Sequence, residues 1–466
     1  MKTLPKILKI SALALLFIFA ASCSDDDDNG PGETPESNIV ELAIATDDLS
    51  SLVAALQRAN LVSALEADGP FTVFAPTNAA FRAFLDANQF AELEDVPVDL
   101  LTDILLNHVV SGENASTSLS TGYDLSSLST AGVGGANLSL FIDTSSGVEI
   151  NGVATVISTE DINASNGVIH IVDGVIGLPN IVDHALANPD LSALVGALTA
   201  DGNTTFTDLL STTDEDFTVF APVNAAFDAF TNPADNAIAN VLSNHVVVGA
   251  AALSTSLSTG YDISTAATNA DMDNLSLYIN TADGVRINGV SSVAVPDVIA
   301  TNGVIHAVDA VIDIPTVVTF AAADPNFSTL LEALTTLTPA TDFGAVLSTP
   351  TGTNPAPFTV FAPTNDAFAA LASIPEEAAL TPILQHHVVA GNNIRSGDLT
   401  VDGTTTTPAT LEGDTFDITL PGTDGNIADV TDGAGNTGIG IIAVDVQAGN
   451  GVIHVVNTVL LPDTMN

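Results

Sequence analysis

The chain of 466 residues contains no tryptophan, a single cysteine and, beyond residue 9, no lysine. Without lysine, the body of the chain cannot carry out Schiff-base chemistry or bind phosphate through a P-loop lysine. One cysteine, Cys23, cannot form a disulfide within the chain. Aromatic stacking platforms for sugars are also scarce, since the only tyrosines are Tyr123, Tyr261 and Tyr278. These absences exclude several enzyme classes and argue against a carbohydrate-binding surface.

Positive charge is nearly absent as well. Against 56 acidic residues and a formal net charge of −49, the strong cations beyond residue 22 are Arg58, Arg82, Arg286 and Arg395. Such a polyanion is repelled by nucleic acid and by anionic lipid headgroups. We therefore expect no nucleic-acid partner and no electrostatic binding to a membrane surface.

Residues 1–22 have the pattern of a secretion signal. Three lysines precede an apolar stretch from Ile10 to Ala21 that is too short to span a bilayer comfortably. Small residues then lead into Cys23, which resembles a bacterial lipobox, although Ala20 stands where Leu, Val or Ile is usual. The pattern predicts lipid attachment at Cys23, which would leave no thiol for redox chemistry or a metal. The alternative is an ordinary signal peptide with an incidental cysteine.

Residues 23–37 are acidic and polar. Four consecutive like charges, Asp25 to Asp28, repel one another and predict a solvated, flexible tether. An acidic run directly after a lipidated cysteine also resembles the export signal of Bacteroidetes surface lipoproteins, and a plain spacer is the alternative. We expect a protein anchored in the outer membrane by its lipid alone and exposed on the cell surface.

The rest of the chain contains three copies of one unit of about 140 residues, which is the size of a domain and not of a solenoid repeat. Phe-Thr-Val-Phe-Ala-Pro begins at residues 71, 217 and 358, and Asn-Gly-Val-Ile-His follows at 166, 302 and 450. No Gly/Ser linker separates the copies. We divide them into a first module (38–179), a second module (180–315) and a third module (316–466).

Within each module, helical patterns come first and strand patterns last. Apolar residues at helical spacing open the unit, as at Leu49, Leu52 and Leu56. The alternating Phe-Thr-Val-Phe segment predicts a strand, and the later Asn-Gly pairs predict tight turns with positive φ. Thr77, Asn78 or Asn365 can cap the following helix, and in the second module, where Val223 replaces the threonine, Asn224 is expected to cap it. The order of elements predicts an α+β fold with segregated layers.

The repeated boxes resemble those of the fasciclin (FAS1) family. Its early box is similar to Phe-Thr-Val-Phe-Ala-Pro-Thr-Asn, its late box to Asn-Gly-Val-Ile-His-Val-Val-Asp, and a His-Val-Val box lies between them. The resemblance extends from residue 38 to about 462. It implies three tandem β-wedge or sandwich modules, each with a helical layer. It also implies cell adhesion or association with an extracellular matrix, with a cell-surface or matrix protein or polysaccharide as partner. The family's central box usually reads Tyr-His, so a role for that tyrosine does not transfer to Asn107, Asn244 or His386.

Six histidines occupy equivalent positions in the modules, namely His108, His245 and His387 in the central box and His170, His306 and His454 in the late box. A metal-binding pair in every module is one interpretation. However, His170 shares a strand face with valines, and neither cysteine nor a paired carboxylate motif accompanies the histidines. Buried, hydrogen-bonded histidines are therefore expected, without a metal or other cofactor.

Three aspartates are candidate recognition residues: Asp161, Asp297 and Asp445, each five residues before the late Asn-Gly. In animal members of the family that the chain resembles, an Asp-Ile at this place has been proposed to contact integrins. The alternative is that they are ordinary loop aspartates. In the third module, Asp429, Asp432 and Asn436 could also ligate calcium, although the EF-hand spacing is absent.

No motif indicates catalysis. The sequence has no Gly-x-Ser-x-Gly elbow and no His-Glu-x-x-His. We therefore expect a lipid-anchored adhesion or matrix-interaction protein and not an enzyme. The alternative function is an outer-membrane accessory protein that binds a glycan or another nutrient.

Overall fold

A computed structural model describes residues 37–158, 161–202, 204–232 and 234–463. The predicted signal peptide, Cys23 and nearly all of the acidic tether lie outside the described residues. In the described part, each module has three helices, then its first strand, then two more helices and finally the remaining strands. No helix in these ranges has the length and apolar composition needed to cross a bilayer.

Within the described residues, each module contains five α-helices. In the first they are α1 Ile39–Ala45, α2 Ser50–Arg58, α3 Val62–Leu65, α4 Asn78–Ala87 and α5 Val98–Leu106. In the second they are α6 Ile181–Ala187, α7 Ser192–Leu198, α8 Thr205–Leu210, α9 Asn224–Ala229 and α10 Ile238–Ser243. In the third they are α11 Val317–Ala323, α12 Ser328–Thr335, α13 Phe343–Leu347, α14 Asn365–Ala369 and α15 Glu377–His386. The predicted apolar helix is confirmed as α2, which buries Leu52 and Leu56.

The strands of the first module are β1 Phe71–Pro76, β2 Val109–Ser111, β3 Gly122–Ser126, β4 Ser139–Asp143, β5 Glu149–Ile150, β6 Ala154–Thr155, β7 Ile162–Ala164 and β8 Gly167–Val172. The second contains β9 Phe217–Pro222, β10 Val246–Val248, β11 Gly260–Thr268, β12 Asn274–Asn280, β13 Arg286–Ile287, β14 Ser291–Ala300 and β15 Gly303–Val308. The third contains β16 Phe358–Pro363, β17 Val388–Ala390, β18 Thr404–Thr406, β19 Asp417–Thr419, β20 Ala428–Thr431, β21 Ile439–Ala448 and β22 Gly451–Val456.

The early and late boxes form a parallel pair of strands at the centre of each module. β1 pairs with β8, from Phe71 opposite Gly167 to Pro76 opposite Val172, and β9–β15 and β16–β22 pair in the same way. In the second and third modules this pair belongs to a seven-stranded sheet, with orders β10-β9-β15-β14-β13-β12-β11 and β17-β16-β22-β21-β20-β19-β18. In the first, the strands divide into two four-stranded sheets, β2-β1-β8-β7 and β3-β4-β5-β6.

Both faces of the central pair are buried, because successive strand residues point to opposite sides. In β1, Val73 and Ala75 pack against α1, α2 and α5, whereas Phe74 packs against Leu140 and other residues of the second sheet. The central sheet therefore lies between a helical layer on one side and further strands on the other. The predicted α+β architecture is confirmed.

Asn166 of the late box joins several elements. Its Oδ1 accepts the Ile39 N–H at the start of α1 (2.9 Å). Its Nδ2 donates to the carbonyl of Leu65, the last residue of α3, and to that of Ala67 just after it, both at 2.8 Å. Its own carbonyl accepts the N–H of Phe71, the first residue of β1. Asn302 and Asn450 make the same four bonds in the other modules.

The Asn-Gly pairs have two different structural roles. At Asn151-Gly152 both residues have positive φ (50° and 66°), which confirms the predicted tight turn. At the late box the prediction is wrong, because Ala164 pairs with Gly167 and the turn residues are Ser165 and Asn166. Gly167 already belongs to β8, where a Cβ would lie 1.9 Å from the carbonyl oxygen of β1's first residue. The glycine is needed for the close approach of two parallel strands.

The expected cap at Asn224 is also wrong. Val223 occupies the capping position and makes no side-chain capping bond. Asn224 instead accepts the Ala193 N–H (2.8 Å) and donates to the Pro189 carbonyl (2.9 Å), which ties the start of α9 to the start of α7. Asn224 therefore bridges two helices, a role that its position in the sequence does not indicate.

Neighbouring modules meet through equivalent residues. At the first junction, the centroid of the Tyr123 ring lies 5.5 Å from that of the His184 ring in α6 of the next module. At the second, Tyr261 packs edge-on against Phe320 in α11 at 5.4 Å. Tyr123 also contacts Phe141 of its own module, and Tyr261 contacts Tyr278.

A hydrogen bond from a backbone N–H to a serine hydroxyl accompanies each of these aromatic contacts. The Ile299 N–H donates to Ser139 Oγ (2.9 Å), and the Gln447 N–H donates to Ser276 Oγ (3.0 Å). Arg395 adds an ion pair to Asp273 (3.0 Å) at the second junction, but its side chain is 41% exposed, so its contribution is small. The two junctions are therefore built alike from buried rings and a serine acceptor.

Replacing Asn166 tests the importance of its three side-chain bonds. We expect Asn166→Ala to lower the free energy of unfolding by about 1–3 kcal/mol or more, because the truncation leaves a buried N–H and two carbonyls without partners. Thermal and urea unfolding of the mature chain measure the effect. Asn163→Ala, at an exposed position of the adjacent strand β7, is the matched control. Equal unfolding midpoints for the two variants would contradict this interpretation.

Candidate functional site

The predicted recognition aspartates lie beside the late-box histidines. In the second module, Asp297 accepts the Ser254 N–H (2.7 Å) and hydroxyl (2.6 Å), each with a different carboxylate oxygen. The Asp297 N–H donates to His306 Nδ1 (3.2 Å), and His306 Nε2 lies 2.9 Å from the Ala252 carbonyl. A carbonyl only accepts, so Nε2 carries the proton.

The arrangement recurs in the other modules. Asp445 accepts from the N–H and hydroxyl of Ser396, and its own N–H donates to His454 Nδ1 (3.4 Å). In the first module Asp161 accepts the Ser116 N–H (2.9 Å) and lies 3.2 Å from His170 Nδ1. Each aspartate thus fixes a serine-containing turn against a buried histidine.

Serine, aspartate and histidine come together here, but not as a catalytic triad. A triad needs a hydrogen bond from the serine hydroxyl to a histidine nitrogen. In the second module the Ser254 hydroxyl donates to Asp297 instead, and the proton on His306 Nε2 is directed at a backbone carbonyl. The Asp161 and Asp297 side chains remain 19% and 32% exposed. A role for them in recognition stays a prediction.

The central-box histidines are buried and fully bonded. In His108, Nδ1 donates to the Ile104 carbonyl (2.7 Å) and Nε2 accepts the Ile176 N–H (2.9 Å). His245 and His387 make the equivalent pairs of bonds. Burial lowers the pKa of each of these three rings to about 4. These histidines are neutral at pH 7, and both ring nitrogens are already bonded.

The residue before the central histidine differs between modules. Asn107 and Asn244 are completely buried and donate to backbone carbonyls, for example from Asn107 Nδ2 to Gly177 O at 2.6 Å. In the third module the position is His386, also completely buried, whose Nδ1 lies 3.6 Å from a Glu412 carboxylate oxygen. No pattern in the sequence connects His386 with Glu412.

His386, Glu412 and Asp414 are close enough together to consider a metal ion, since one ligand atom from each lies within 4.8 Å of the others. However, His386 Nε2 accepts the Gly433 N–H at 3.2 Å. This leaves the proton on Nδ1, the nitrogen that faces the carboxylates, so its lone pair is not free for a metal. The geometry favours a neutral histidine directed at Glu412.

The calcium candidates in the third module have separate partners. Asp429 accepts from the backbone and hydroxyl of Thr423 and from Asn426 Nδ2. Asp432 accepts from the backbone and side chain of Asn436, the third candidate, and from the Leu461 N–H. The carboxylates hold the loops on either side of β20 by hydrogen bonds, so a shared cation is not needed to explain their positions.

A cleft lies at each module junction. The first has a volume of about 830 Å³ and is lined by residues such as Phe84, Val153 and Asp183. The second has a volume of about 1040 Å³ and is lined by residues such as Phe230, Val290 and Thr319. Val153 and Val290 follow equivalent Asn-Gly turns and are 56% and 55% exposed. Both clefts have the size of a ligand-binding site and combine polar with apolar walls.

A model of the fasciclin domain matches residues 47–179, 189–315 and 325–462. Among relatives, protein sll1483 of Synechocystis sp. is 43% identical over 138 residues, which are 30% of this chain and 72% of the relative. Human periostin is 28% identical over 446 residues, 91% of this chain and 47% of periostin. Transforming growth factor-beta-induced protein ig-h3 of Oryctolagus cuniculus is 28% identical over 443 residues, 92% of this chain and 58% of that protein. The chain thus spans about half the length of these two animal relatives.

Among solved structures, a FAS1 domain pair from the insect cell adhesion molecule Fasciclin I aligns with a TM-score of 0.35 and 20% sequence identity. The alignment covers 59% of this chain and 95% of the insect chain.

The buried neutral histidines predict a pH dependence. The unfolded chain binds a proton on histidine near pH 6.5 and folded His245 near pH 4, so its contribution to stability is complete above about 6.5 and is lost as the pH falls towards 4. We expect His245→Gln to be less stable than wild type at pH 7 but to lose less stability between pH 7 and pH 5.

Acidification also relieves repulsion between carboxylates, so the test compares variants and not pH values alone. Urea unfolding at both pH values measures the difference, and Thr212→Ala, an exposed change in the same module, is the control. A steeper loss in His245→Gln than in wild type would contradict the prediction.

Proposed function

This chain belongs to the fasciclin family, and we propose that it is an adhesion protein of the cell surface. Adhesion or matrix association is the usual role of the family. The proposed partner is a cell-surface or matrix protein or polysaccharide. We further propose that a lipid on Cys23 anchors the chain in the outer membrane, with the modules exposed to the outside.

The observation that supports adhesion most directly is the repetition of the junction clefts. The two clefts use residues from equivalent turns and helices, so one type of partner group could occupy both. Binding at two sites of one chain raises apparent affinity by about 10² to 10⁴ when a partner presents the group repeatedly. Matrix polymers and neighbouring cells present repeated groups, so this arrangement suits adhesion.

The tyrosines weigh against the alternative of a glycan-binding accessory protein. Tyr278 is only 2% exposed, and Tyr123 and Tyr261 pack in the module junctions. Burial raises the pKa of the Tyr123 and Tyr261 hydroxyls well above the usual value. The rings that could stack on a sugar are therefore used to join the modules.

Introducing a negative charge tests the clefts. Val153→Glu and Val290→Glu each place a carboxylate at the rim of one cleft, and we expect each to weaken adhesion. The double variant should weaken it by about 10²-fold or more if both clefts act together. The measurement is the adhesion of beads coated with the mature chain to the producing cells and to their extracellular matrix.

Val401→Glu is the control, because Val401 is 80% exposed and does not line either cleft. Unchanged adhesion of the double variant would rule out the clefts as the adhesive surface. Tight binding of a soluble glycan by wild type, without adhesion to cells or matrix, would favour the accessory-protein function.

The lipid anchor is tested separately. We expect Cys23→Ala to abolish incorporation of labelled fatty acid and to release the protein from the membrane fraction, because the thiol is the acceptor in this motif. Ser24→Ala, at the next position, should be labelled like wild type. Equal labelling of the Cys23→Ala protein would exclude this residue as the site of attachment.

A further inference from the structure

The helical layer of the second module encloses an apolar cavity of about 260 Å³. It lies between α6, α7 and α8 on one side and β9, β10 and β15 on the other. Ile181, Leu194, Val195, Val219 and Ile305 form much of its wall. Leu186 also lines the cavity and is 65% exposed, so the cavity reaches the surface beside this side chain.

The equivalent places in the other modules are nearly filled. The cavity under α1 in the first module measures about 10 Å³ and that under α11 in the third about 30 Å³. The same helix position lines all three cavities, as Ala43, Ala185 and Ala321. One chain thus offers two filled copies against which the open copy can be compared.

The helix before the central box also differs in the second module. Seven residues before the central histidine, Leu101 and Leu380 are completely buried in their modules. In the second module this residue is Ile238, the first residue of the short helix α10, and it is 48% exposed. Phe227 of α9 is only half-buried, whereas its equivalent Phe81 is 3% exposed. The helical layer of the second module therefore contributes fewer apolar side chains to the core.

The polar groups on the cavity wall are bonded within the protein. His245 uses both ring nitrogens, on Val241 O and Ile312 N–H. The hydroxyls of Thr199 and Thr207 donate to the carbonyls of Val195 and Thr204 in their own helical segments. A polar ligand group would give up its hydrogen bonds to water and find no free partner on the wall, which costs binding free energy. The wall therefore suits an apolar molecule.

We propose that the second module binds one small, uncharged apolar molecule in this cavity. A dry cavity of about 150 Å³ is known to accept benzene, so 260 Å³ suits a molecule of about the size of naphthalene or a medium-length alkyl chain. Occupancy restores the dispersion contacts that an empty cavity lacks. The cavity shares only Leu186 with the lining of the first junction cleft, so substitutions at Ala185 and at Val153 test the two proposals separately.

The test titrates the mature chain with 1-aminonaphthalene, which is about the size of naphthalene and whose fluorescence emission moves to shorter wavelength in apolar surroundings. We expect saturable binding of one molecule per chain, with displacement by decanol and weaker displacement by anionic decanoate. Ala185→Leu fills the cavity, so it should weaken binding of the probe at least tenfold and keep or raise the thermal midpoint. Thr207→Leu fills the cavity from the opposite helix and should weaken binding as well.

The same change in a filled module is the matched control. Ala43→Leu meets a closely packed core, so it should lower the thermal midpoint and leave binding of the probe unchanged. The proposal is overturned if wild type shows no saturable site, or if the Ala185→Leu and Thr207→Leu variants bind the probe like wild type. It is also overturned if Ala185→Leu destabilises the chain as much as Ala43→Leu does, since the space would then not exist.

Discussion

A buried asparagine in the late box connects the four elements on which each module depends. Asn166 binds the start of the first helix, the segment after the third helix and the start of β1, while it leads directly into β8. The helical layer is therefore fixed to the central strand pair at one point. Because the same bonds recur at Asn302 and Asn450, the register between helices and sheet is set identically three times.

Much of the fold could be predicted from the sequence because its signals are local and repeated. The alternating early box, the apolar spacing of α2 and the turn at Asn151-Gly152 follow from residue preferences along the chain. The predicted turn at Asn166 and the predicted cap at Asn224 are wrong because Asn is equally typical of turns, caps and buried bridges. Only the position of distant elements decides between these roles. The junction role of Tyr123 and Tyr261 had a signal, their equivalent positions in two modules, but a repeat does not reveal what it contacts.

The candidate sites were less predictable for a related reason. The buried state of the histidines follows from their apolar neighbours, and the structure shows it at His108 and its equivalents. In contrast, the cavity of the second module arises with nearly unchanged wall residues, since Ala185 and Ala43 are the same amino acid at the same place. The helix before the central box is also shorter in the second module, and Ile238 at its start is 48% exposed. A repeated wall sequence therefore does not reveal how closely the wall is packed.

The parallel pairing of the two boxes also bears on how the chain is made. The first paired residues of the central strands, such as Phe71 and Gly167, are 86 to 96 residues apart in the three modules. Closing loops of that length is slow compared with forming the helices between and before them. As the polypeptide emerges from the ribosome, the helices of a module appear well before the strand that covers them. During its synthesis, each chain therefore exposes an apolar helical surface three times, once per module, until the last strand of that module has formed. In this state the chain needs protection from aggregation.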